Sequence, residues 1–167
     1  MQQADGSWHL LYDYPAGDAA FSRLVNVLPF DNRCVVAAAA NGEASAKLFA
    51  MQGSSPDPIA DWPSSDRVES VTRHQADLFA FAVSGDQRQL LRFDGNTTLR
   101  VELPANSQPR ALHSDGVRLW LATQDAADDA YRGSLWLYNG TGEFVSLARI
   151  TDTPIALTSL NLSLIHI

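Results

Sequence analysis

Gly133-Ser134-Leu135-Trp136-Leu137-Tyr138-Asn139-Gly140 is an alternating strand that ends on an aromatic residue and an Asx-Gly turn. Gln89-Leu90-Leu91-Arg92-Phe93-Asp94-Gly95 has the same form, and Lys47-Leu48-Phe49-Ala50-Met51-Gln52-Gly53 and His9-Leu10-Leu11-Tyr12-Asp13 follow it more loosely. Alternation of period two puts one set of side chains on each face of a sheet, and Asx-Gly supplies the positive φ of a tight hairpin. The anchor positions Tyr12, Met51, Phe93 and Tyr138 lie 39, 42 and 45 residues apart in turn.

The residues around each anchor repeat as well. A more apolar strand precedes it, at Cys34 to Ala40, Leu78 to Val83 and Leu119 to Thr123. Ahead of that lies another, at Arg23 to Leu28, Val68 to Arg73 and Arg110 to His113, each ending in a polar turn. A fourth, more polar strand follows at Thr98 to Leu103 and Glu143 to Ala148. Asn41 to Gly53 has helical propensity with a glycine at its end, but the repeat register assigns its second half to a strand, because propensity yields to consistent context. Four antiparallel strands every ~42 residues predict an all-β chain, an incomplete β-propeller. It would hold about three full four-stranded blades over 21–65, 66–108 and 109–150, with partial blades at 1–20 and 151–161. On this reading the chain is a fragment of a larger ring. The register predicts a core of Val35, Phe79, Phe81, Leu91, Phe93, Leu119, Leu121, Leu135 and Leu137.

The third repeat resembles the propeller repeats of bacterial two-component regulators, in Asp115-Gly116, Leu119-Trp120-Leu121-Ala122-Thr123 and Gly133 to Asn139. Ala122 stands where those repeats have glycine, Val117-Arg118 is inserted, and the stretch from Gln124 to Arg132 is long. That resemblance covers about a quarter of the chain and implies a propeller and a sensor ectodomain. The terminal Leu162-Ser163-Leu164-Ile165-His166-Ile167 resembles a translated sequencing adapter, so 162–167 is set aside as a non-native tail.

Composition narrows the function. The formal net charge is −7, which opposes binding to phosphate backbones and anionic membranes, so no nucleic-acid partner is expected. No apolar stretch reaches the length of a membrane span. A single lysine, Lys47, against eleven arginines fits the coding bias of a GC-rich bacterium. The lone Cys34 provides neither a disulfide nor a thiolate metal site and reads as a buried, inert thiol.

No nucleophile elbow, zinc-protease helix motif or phosphate loop is present. In a propeller, binding groups gather on the face carrying the second-to-third-strand loops and the connections between blades. Gln124 to Arg132 reads as such a loop, with Asp125, Asp128, Asp129 and Tyr131 able to meet a hard cation or a sugar, although it lacks calcium-loop spacing. The plainer reading is a solvated acidic loop, which makes Asp128 and Tyr131 dispensable for folding. Ser54 to Asp66 reads as a connection in which Trp62 either stacks on a ligand or packs over a blade edge. Asp66, Asp125, Asp128 and Asp152 are the carboxylates that a glycan-active enzyme would use. His74 and His113 read as equivalent positions that satisfy turns rather than bind metal, since no third ligand recurs with them. The reading is a non-catalytic binding module for a protein, peptide or glycan on a loop face, with no cofactor and no metal. The alternatives are the glycan-active enzyme and the sensor ectodomain.

Overall fold

The computed structural model describes residues 21–40, 42–52, 55–63, 66–103, 107–128, 131–152, 154, 157–160 and 163–166. Tyr12 and Trp8 lie outside them. Every regular element among the described residues is a strand. The first sheet comprises β1 (Phe21–Phe30), β2 (Arg33–Ala40), β3 (Ala46–Gln52) and β4 (Ser55–Pro58). The second comprises β5 (Arg67–His74), β6 (Asp77–Ser84), β7 (Gln87–Phe93) and β8 (Thr98–Val101). The third comprises β9 (Ser107–Ser114), β10 (Leu119–Asp128), β11 (Tyr131–Tyr138) and β12 (Phe144–Ile150). Each is a four-stranded antiparallel meander in chain order. β13 (Leu157–Leu160) and β14 (Ser163–His166) form a hairpin, with β13 beside β9.

The ladders fix the repeat residue by residue. Cys34 pairs with Met51 and Leu78 with Phe93, and the Trp120–Leu137 register carried one step further sets Leu119 opposite Tyr138. The anchor residues therefore occupy one ladder position in all three sheets. Each first strand also carries a β-bulge, whose extra residues are Val25, Glu69 and Arg110. The bulges lie opposite Ala37/Ala38, Phe81/Ala82 and Ala122/Thr123, which are equivalent positions on the second strands. A bulge kept in place across repeats is a feature of the unit, because it sets the twist of the strand and re-aims its side chains.

This register explains the packing. One buried cluster joins Val35, Ala37 and Leu48 of the first sheet to Leu78, Ala80, Leu91 and Phe93 of the second. The other joins Phe79, Phe81 and Leu90 of the second sheet to Leu119, Leu121 and Tyr138 of the third, with Trp136 partly buried against it. Equivalent positions thus fill equivalent interfaces. β6 lies between two sheets and is buried on both faces, so its sequence is a continuous apolar run. The first strands are neighbours in space, β5 lying against both β1 and β9. Asn26 Nδ2 donates to the Val71 carbonyl at 2.8 Å across the first of these contacts.

Four expectations are corrected. Leu135 and Leu137 are half-buried, because they pair with Ala122 and Trp120 on the face of the third sheet turned away from the second. Gln124 to Asp128 belongs to β10 and Tyr131 to β11, with Asp128 paired to Tyr131 after a register shift, so neither is a loop residue. Ser54 to Asp66 contains β4, in which Pro56 and Pro58 pair with Met51 and Phe49. Proline survives there because β4 is an edge strand whose outward side needs no amide donor. Finally, His113 pairs with Trp120 while Thr72 pairs with the equivalent Phe79, so His74 lies two residues beyond the position of His113. Seven of the nine expected core residues are buried.

Candidate functional site

The meander order places the second-to-third-strand hairpins and the starts of the first strands at one end of each sheet. Two candidate carboxylates lie at that end, one in the second sheet and one in the third. Asp125 pairs with Ser107, and the Arg67–Val83 register carried one step back sets Asp66 opposite Ser84. The same cross-strand position therefore holds a carboxylate and a serine in both sheets, with the strands exchanged.

Asp125 is half-buried and its two oxygens are engaged. Oδ1 accepts the hydroxyls of Thr123 at 2.9 Å and Ser107 at 3.0 Å, and Oδ2 accepts the Ser134 hydroxyl at 2.5 Å. Thr123 Oγ1 in turn accepts the Trp136 indole N–H at 2.8 Å. Thr123 and Ser134 are buried polar groups, so these bonds satisfy atoms that would otherwise cost stability. The relay from Trp136 through Thr123 to Asp125 and Ser107 crosses β11, β10 and β9 above the apolar cluster of the second interface.

Asp66 is 2% exposed and accepts the Gln89 amide at 2.8 Å on Oδ2. Gln89 is the ladder equivalent of Ser134. Each interface thus carries, above its apolar cluster, a carboxylate tied to the third strand. The backbone of Asp128 belongs to the hairpin extension, and Asp129 lies outside the described residues. Tyr131 is half-buried, with the Arg149 guanidinium 4.3 Å from its ring centroid. Trp62 is 7% exposed within the first cluster, and its indole N–H has no partner among the described residues. Its faces are therefore packed against the protein. Asp152 is exposed in a bend.

At the opposite end His74 is 4% exposed, edge-on to Phe79 and Tyr138. Its Nδ1 lies 3.0 Å from Ser114 Oγ, which also accepts the Gly116 amide at 3.1 Å. Burial pushes its pKa below the ordinary value, against the pull of Asp115 and Asp77. His113 stacks on Trp120 at 5.7 Å. Neither histidine belongs to a metal-ligating group of three or more among the described residues. No described helix is long and apolar enough to cross a membrane.

Sequence reading found Asp66 and Asp125 but not their shared ladder position. The serine partners gave no signal, because single serines at strand ends are too common to stand out. Thr123 and Ser134 sit inside apolar strands, and that placement is the mark by which they could have been found. No protein-family model, curated protein or solved structure matches this chain.

Proposed function

We propose that the three sheets are successive blades of a β-propeller and that the chain is a non-catalytic binding module. The observation that carries this reading is the recurrence of one packing register: the same ladder positions fill both interfaces while the first strands run side by side. Stacked meanders related by a constant register, with their first strands innermost, are the geometry of blades around an axis. The engagement of Asp125 by three hydroxyls and of Asp66 by Gln89 supports a scaffolding role for both carboxylates. The binding surface would then be the β10–β11 pairing beyond Asp125, with Asp128 and Tyr131, and with Asp129 as a further candidate outside the described residues.

Peptide and glycan arrays probed with the chain and with an Asp128→Ala/Tyr131→Ala variant test this. The expected result is selective retention of a ligand class by the chain, lost in the variant with little change in melting temperature. Turnover of a polysaccharide panel that disappears in Asp125→Asn would overturn it in favour of the glycan-active enzyme.

A further inference from the structure

Between the first two sheets, at the end opposite the carboxylate–serine positions, lies a cleft of about 260 Å³. Its floor is apolar and buried: Phe30, Val35, Ala50 and Phe93 are each less than 8% exposed. The rings of Phe30 and Phe93 lie 5.8 Å apart, tilted by 43°. Its rim is polar and open to solvent, with Asp57 at the end of β4, Asp61 just beyond it and Asn96 in the β7–β8 hairpin.

The rim charges are unequally committed. Asp61 accepts the Thr98 amide on Oδ2, which holds its carboxylate at the cleft. Arg33 also reaches the rim, but its guanidinium is 3.3 Å from Asp31. The Asp57 carboxylate has no hydrogen-bond or ion-pair partner among the described residues. An apolar, aromatic floor beneath an unpaired carboxylate suits a group with a flat cation on an apolar stem. Its stem can lie over the apolar floor while the guanidinium presents its fork of donors to the carboxylates. The volume lies below the ~300 Å³ at which pockets for drug-sized ligands begin, and it matches a single side chain better than a cofactor. The overall charge of −7 would draw a basic partner toward this surface.

We propose that this cleft takes up an arginine side chain from a basic segment of a protein partner. The proposal depends on the packing of the first two sheets and not on their membership of a ring, so it stands or falls apart from the propeller reading.

The test is titration of the isotopically labelled 167-residue chain with the peptide acetyl-Gly-Arg-Gly-amide, followed through backbone amide resonances. Saturable shifts are expected at Gly95 and Asn96. The neutral citrulline peptide should bind about tenfold more weakly, since it lacks the charge-assisted bonds. Asp57→Asn should weaken the arginine peptide by a similar factor, with resonances outside the cleft unmoved, because Asp57 supports no other group. Absence of saturable shifts at Gly95 and Asn96 would overturn the proposal. So would equal binding of the citrulline peptide or unchanged affinity in Asp57→Asn, because the cleft would then be an apolar gap indifferent to charge.

Discussion

Thr123 shows how much one hydroxyl can hold. It accepts from the Trp136 indole and donates to Asp125, both half-buried. Thr123→Val keeps the shape but leaves the indole N–H unpaired and removes one donor from a half-buried carboxylate. A loss of about 1–3 kcal/mol in denaturant melts is expected. Gly133 is constrained differently: an added Cβ would lie 2.6 Å from the Thr123 carbonyl and 2.7 Å from Pro154 Cδ. The obstruction includes backbone, so Gly133→Ala must displace the β10–β11 ladder, at a cost of about 1–3 kcal/mol. Tyr131→Ala, which loses mainly the Arg149 contact at the tip of the same hairpin, should cost no more than about 1 kcal/mol. A larger loss would make the hairpin extension part of the folding unit rather than an appendage.

At the scale of elements, the turns and the His74 contact respond to pH. Asp94 Oδ1 accepts the Asn96 and Thr97 amides at 2.8 Å each, and Asp115 Oδ1 accepts those of Val117 and Arg118. These bonds favour the carboxylates and hold both pKa values below the ordinary 3.8. Their contribution is fully present above that value and fades as pH falls through the lower folded values. His74 has a folded pKa below its ordinary 6.5, so the unfolded chain binds the proton more readily. Stability therefore falls as pH drops below about 6.5, until the folded value is passed. Urea melts between pH 7.5 and pH 5 should show this decline, and His74→Phe should flatten it; an unchanged slope would place the titrating group elsewhere. The anchors Met51, Phe93 and Tyr138 and the Asx turns after the last two were legible because turn chemistry and alternation are local. β4 was not, because two prolines in four residues argue for a loop until the neighbouring strand is known to leave only one side of it paired. The extension through Asp128 was hidden for a related reason: an Ala-Asp run has little strand propensity, and its pairing resumes at Asp128–Tyr131 only after a register shift that no local pattern announces. Leu135 and Leu137 alternate as core residues do, but alternation does not say which face a second sheet will cover.

At the scale of the molecule, three meanders stack so that the middle one is covered on both faces and the outer two meet it through equivalent residues. The sheets stack serially in one register, as opposed to a sandwich in which the first and third sheets close on each other. Methyl-to-methyl and methyl-to-ring nuclear Overhauser contacts in the labelled chain test it most directly. Contacts are predicted within two separate groups: Val35 and Leu48 with Leu78 and Leu91, and Leu90 and Phe79 with Leu119 and Leu121. None is predicted between Val35 or Leu48 and Leu119 or Leu121. Cross-peaks linking the first sheet directly to the third, or the absence of those that join each sheet to the next, would contradict the stacking and the reading of function that rests on it.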